Sequence, residues 1–142
     1  MRKVPKKGTL AWHKKKAWDA FSLLKKFEHS QDGETVKCYT CGKEMEIGTS
    51  DCQGGHCLRK KGYPALYFHE NNVRAQCYAC NHYKDGNEAV FVSELIREIG
   101  QEAYYEMYSQ RHNQVKITKK EYEEMELQWK TRLLELKKER GW

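Results

Sequence analysis

Two Cys-x-x-Cys doublets, Cys38/Cys41 and Cys77/Cys80, constrain this chain more than anything else in it. A tight turn inside each doublet lets both sulfurs face one ion. Two doublets complete a closed tetrahedral thiolate site with no open position for chemistry. The expectation is a structural zinc ion held by Cys38, Cys41, Cys77 and Cys80, stapling a small domain. Cys52 and Cys57 lie outside the doublets and read as buried free thiols. Six cysteines also suit three disulfides in a secreted chain. The doublets, the many lysines and an N-terminus without an apolar signal segment favour a reducing cytoplasm instead.

The segment between the doublets carries the polar chemistry. His56 stands 16 residues before Asn72 and 25 before Asn81, which directly follows the last cysteine. Gly54-Gly55 gives the backbone freedom to aim the imidazole. Arg59, Lys60 and Lys61 follow, Gly62-Tyr63-Pro64 turns the chain, and the apolar run 65–68 reads as a return strand. On its own, such a histidine is more often structural than catalytic.

The order His56, Asn72, Asn81 resembles the HNH, or His-metal finger, nuclease motif, a β-hairpin and helix around one divalent ion. The resemblance implies that His56 is the general base, that Asn72 props the loop bearing it, and that Asn81 ligates the catalytic metal. Further stretches are similar to the phage recombination protein family NinG, also called Rap: KKKAWDAFS at 14–22, GH at 55–56, QCYACNHYKDGN at 76–87, and a helix ending at Ile99-Gly100. That likeness covers roughly residues 12–100 and implies cleavage of branched DNA. Phage endonuclease VII, a junction resolvase, is similar in placing Asn directly after the last zinc cysteine. Many HNH sites have Asp before the catalytic His, as a second metal ligand. Here that position is Gly55, which leaves Asp51 and His69 as candidates for the second ligand.

At 142 residues the chain has room for one domain with extensions. With 39% hydrophobic and 32% charged residues its core is thin, so a metal staple matters. No apolar run is long enough for a membrane span. Residues 1–30 carry nine Lys or Arg against two acidic residues, in a chain whose whole net charge is +6. Such a one-sided basic block attracts a phosphate backbone through counterion release, although a solubilising tail has the same composition.

Thr9 caps an expected helix to about His29, with Trp18, Phe21, Leu24 and Phe27 on one stripe facing the zinc module. Short strand pieces are expected on both sides of the first knuckle, between Val36 and Ile47. One helix is expected to begin at Asn81. A second should run from Glu88 to Ile99 with Gly100 as its cap, and a short one from Ala103 to Tyr108. Thr118 and Glu121 form a capping box opening a last helix. Its stripe of Tyr122, Met125, Trp129, Leu133 and Leu136 suits folding back on the domain and a dimeric coiled coil about equally.

The fold class expected is α+β, a small zinc-stapled ββα-metal core with flanking N- and C-terminal helices. It divides into a basic arm and helix at 1–30, a knuckle-bearing core at 31–100 and a helical extension at 101–142. The function expected is a magnesium- or manganese-dependent endonuclease on branched recombination DNA in the bacterial host cytoplasm. Lys14, Lys15, Lys16, Arg59, Lys60, Lys61 and Lys84 are expected to meet the DNA, with no membrane partner and with other phage recombination proteins as candidate associates. A generic HNH nicking or homing enzyme and a non-catalytic zinc DNA-binding module are the alternatives.

Overall fold

The computed structural model describes residues 4–59 and 63–142, so Lys60 and Lys61 lie outside the described residues. Helix α1 (Leu10–Glu28) starts where Thr9 accepts the Trp12 N–H at 3.3 Å. Lys25 and Lys26 in its last turn complement the helix dipole. The Arg140 guanidinium donates to the carbonyls of Phe27, Glu28 and Ser30 at 3.1–3.2 Å, satisfying backbone oxygens at that end.

Two small antiparallel hairpins follow. Strands β1 (Thr35–Lys37) and β2 (Glu44–Glu46) pair with Val36 opposite Met45, and the turn between them holds the first cysteine doublet. Strands β3 (Gln53–His56) and β4 (Val73–Gln76) pair with Gln53 opposite Gln76 and His56 opposite Val73. The second doublet begins directly after β4. Helices α2 (Glu88–Ile99), α3 (Gln101–Ser109) and α4 (Lys119–Arg140) complete the chain. Mixed helices and small sheets make this an α+β architecture, and among the described residues no helix is long and apolar enough to cross a membrane.

Three expectations need correction. The run 65–68 is not the return strand. Pro64–Leu66 forms one 3-10 turn, with Pro at its start where no N–H is needed, and β4 pairs with β3 instead. No regular helix begins at Asn81. Residues Ala79–Tyr83 form a single π-helical turn, closed by Lys84 N–H to the Ala79 carbonyl at 3.1 Å, and left-handed Asp85 and Asn87 separate it from α2. Gly54 and Gly55 matter through close approach rather than freedom. Both are extended in β3, where a Cβ at Gly54 would lie 2.8 Å from Ser22 Cβ.

The apolar stripe of α1 serves two neighbours. Trp18 meets the β3–β4 unit, whereas Leu24 and Phe27 bury against Leu133 and Leu136 of α4. Trp129 joins through Phe21 and Phe68, at 4.6 and 5.5 Å between ring centroids. Helix α4 therefore folds back on its own chain, and the capping box at Thr118 and Glu121 is formed.

Candidate metal centre and catalytic site

The turn after β1 and the turn after β4 bring four sulfurs together. Those of Cys38, Cys41, Cys77 and Cys80 all lie within 4.8 Å of one another. Cys41 and Cys77 are 3.7 Å apart. Zinc–sulfur bonds of about 2.3 Å give a tetrahedral edge of about 3.8 Å, so the four thiols are spaced to bind one metal ion such as zinc. Three of the four are buried, and the Cys80 N–H points at the Cys77 sulfur at 3.5 Å. Cys52 is buried beside this cluster, and Cys57 lies in a separate apolar core with Leu58, Leu66 and Phe91. Burial pushes the Cys57 thiol up to about 12, which keeps it protonated and inert.

His56 ends β3 and is held on three sides. Its ring stacks on the Trp18 indole at 4.8 Å and 15°, and Tyr67 leans on it at 4.8 Å. Nε2 lies 3.0 Å from the Tyr67 carbonyl. A carbonyl only accepts, so Nε2 carries the proton and Nδ1 keeps its lone pair. Burial, against the Tyr67 bond and helped by the charges of Arg59 and Lys14, brings the imidazole down to about 4, so it is neutral at pH 7.

Asn72 is fully buried and ties the loop after His56 shut. Its Oδ1 accepts the Leu58 N–H at 2.8 Å, while Nδ2 donates to the carbonyls of Leu58 and Leu66 at 3.2 and 3.0 Å. Asn81 sits in the π-helical turn. Its Nδ2 donates to Gln53 Oε1 at 2.8 Å, and Arg59 donates to its backbone carbonyl.

No hydrogen bond joins His56 and Asn81. Strand alternation sets Gln53 and His56 on opposite faces of β3, about 10 Å apart along the strand. The Arg59 guanidinium bonds to Asn81 on one side, and its charge reaches His56 on the other. The candidate second ligands are engaged elsewhere. Asp51 pairs with Lys43 at 2.8 Å and accepts the Tyr78 N–H at 3.0 Å, and His69 accepts the Asn71 N–H at 3.1 Å. Among the described residues, the four cysteines are the only group of three or more His, Cys, Asp or Glu side chains placed to share an ion.

The basic side chains divide. Lys14 lies over the Tyr67 ring at 4.4 Å, beside His56. Lys15 pairs with Asp19 at 2.8 Å and Lys16 with Glu126 at 3.8 Å, so both are partly neutralised. Arg59 and Lys84 are exposed.

The sequence model of the family described as Bacteriophage Lambda NinG protein matches residues 2–139. The chain belongs to the NinG family. Proteins named ninG from Escherichia phage lambda and Salmonella phage P22 are 30% and 27% identical to it over 141 residues, or 99% of this chain. A third, from Enterobacteria phage H19B, is 36% identical over 78 residues, covering 55% of this chain and 38% of its own length. The chain spans 65% of the length of the lambda and P22 relatives. No solved structure matches. In this NinG chain three site residues escape a reading of the sequence alone: Trp18, Gln53 and Tyr67. The first two act across long sequence separations, and Tyr67 acts through a backbone carbonyl that no motif encodes.

Proposed function

We propose that this NinG chain is a metal-dependent DNA endonuclease of the HNH type that acts on branched recombination intermediates. The observation that carries the reading is the tautomer of His56: Nε2 is committed to the Tyr67 carbonyl, and the lone pair of Nδ1 is presented by a neutral ring. Such an imidazole is in its proton-accepting form at neutral pH, and its burial trades basicity for that neutrality.

In this reading Nδ1 takes a proton from a water, whose oxygen forms the new bond to phosphorus. The bond from phosphorus to the 3′ oxygen breaks, and that oxygen leaves to be protonated by solvent. Asn72 keeps the loop closed so that the Tyr67 carbonyl stays under Nε2. The amide oxygen of Asn81, whose Nδ2 is engaged by Gln53, is the donor suited to magnesium or manganese. One neutral oxygen is a sparse ligand set, so such an ion would rely on the DNA phosphate and water for its remaining contacts and would neutralise phosphate charge. Lys14, Arg59 and Lys84 offer positive charge beside this path. The preference for branched DNA is what the resemblance of the stretches at 14–22, 55–56 and 76–87 implies.

A second reading, a zinc module that binds DNA without cutting it, is favoured by Gly55 and by the lack of a carboxylate cluster among the described residues. Incubating the purified chain with four-way junctions and matched linear duplexes, with magnesium and with EDTA, separates the two. Magnesium-dependent nicking abolished by His56→Ala supports the nuclease; junction binding without cutting supports the module.

A further inference from the structure

The helix expected to serve as a DNA-binding arm also forms one wall of the candidate site. Trp18 lies in α1, far in sequence from β3, yet its indole stacks on His56 at 15°, close to parallel. The same indole contacts Tyr67 at 5.1 Å and Phe68 at 6.4 Å, so it is itself wedged. Its approach depends on Gly54 having no side chain: a Cβ there would lie 3.0 Å from Trp18 Cζ2.

We infer that Trp18 is a positioning residue for the base, clamping the imidazole plane so that Nδ1 is aimed while Nε2 stays on the Tyr67 carbonyl. The inference rests on the nuclease reading only for its catalytic consequence. The clamp itself is a matter of geometry and can be tested without DNA.

A histidine at a strand end has two side-chain torsions. One hydrogen bond at Nε2 fixes where that nitrogen sits, but leaves the ring free to rock about the bond. A flat partner on the ring face removes the rocking, and an aromatic face does so at van der Waals distance without competing for either nitrogen. Tyr67, tilted by 39° to the imidazole, closes a second side. Trp18 also covers the ring from water, and desolvation is the largest cause of the low pKa of His56. The groups facing the ring from the packed elements are Lys14 of α1, Arg59 of the following loop and the Tyr67 carbonyl. Both charges are positive and add to the depression.

The experiment uses the full chain. His56 is titrated by NMR in wild type, Trp18→Ala, Trp18→Leu and Trp18→Phe, and junction cleavage is measured with magnesium for each. The wild-type imidazole is expected to titrate at about 4. Trp18→Ala and Trp18→Leu should move it up toward the free value of about 6.5, and Trp18→Phe should stay near wild type. Cleavage should fall roughly 10- to 100-fold in kcat for Ala and Leu, with KM for the junction little changed and most of kcat recovered by Phe. If Trp18→Ala does not fold, Trp18→Leu, which keeps bulk but not flatness, decides the matter. A folded Trp18→Leu protein with wild-type His56 titration overturns the clamp. Wild-type kcat in that variant limits Trp18 to packing. Absence of cutting by the wild type overturns the nuclease reading and leaves the titration result standing.

Discussion

Gln76 fills the space in front of Gly55. The Gln76 side chain crosses from β4 so that a Cβ at Gly55 would lie 2.6 Å from its Cδ, and its Nε2 is anchored on the Gly86 carbonyl at 2.8 Å and Thr40 Oγ1 at 3.1 Å. No side chain can enter at Gly55 while Gln76 keeps this position. Gly55→Asp should therefore destabilise the protein by about 1–3 kcal/mol through overpacking. Adding Gln76→Ser should restore part of that loss. Thermal melts decide it, and a Gly55→Asp protein with the wild-type Tm would show that the amide swings aside freely.

Zinc should be stoichiometric and structural. One zinc per chain is expected by elemental analysis, and Cys41→Ser or Cys77→Ser should lose cooperative unfolding, because metal binding in a thin-cored domain is folding free energy. A folded chain free of zinc would contradict this.

Asn72 should be a stability residue first. Asn72→Ala leaves the Leu58 N–H and carbonyl buried without their partner, while the Leu66 carbonyl keeps the His69 N–H, a loss of about 2–4 kcal/mol. Denaturant titration measures it. A loss below about 1 kcal/mol would mean that water takes over the bonds.

His56 should impose a pH dependence on folding. Its folded pKa, about 4, lies below the unfolded value of about 6.5, so the unfolded state binds the extra proton between those pH values. Stability contributed by the neutral ring is full above about pH 6.5 and is lost as pH falls toward 4. Wild type should therefore lose Tm more steeply than His56→Gln between about pH 7 and 5. Parallel curves would place the imidazole in water.

His56→Ala and Asn81→Ala should separate folding from cutting. Both should keep zinc and bind junctions. His56→Ala should lose about 10²–10⁴-fold in rate, while Asn81→Ala should regain part of its loss at high manganese. Cleavage by His56→Ala at the wild-type rate would rule the imidazole out as the base.

Much of the scaffold is legible in the sequence, because its signals are local. Thr9 and the Thr118–Glu121 box announce α1 and α4, and Gly100 closes α2. The doublets predict a sulfur cluster from spacing alone. The run 65–68 misleads because a short apolar stretch has no decisive period. Its Phe68 packs against Tyr122 and Trp129, which lie on a helix that local pattern does not connect to it. The coiled-coil alternative for α4 has the same cause: the stripe shows that a face is covered, not by what. Trp18 reads as core in the sequence because such stripes usually are, and only the fold shows that its neighbour is an imidazole.

Lys14 and Trp18 are one turn of α1 apart, the first over Tyr67 and the second on His56, and the far end of the same helix is locked to α4 through Leu24 and Phe27. His13 and Lys16 lie 3.6 and 3.8 Å from Glu123 and Glu126 of α4 as well, so α1 is braced along its length and moves as one piece. In the nuclease reading, a DNA phosphate drawn to Lys14 would bear on that braced helix within one turn of its contact with the imidazole. Grip on the strand and alignment of the base would then rise and fall together, and substitutions chosen to weaken one would register in the other.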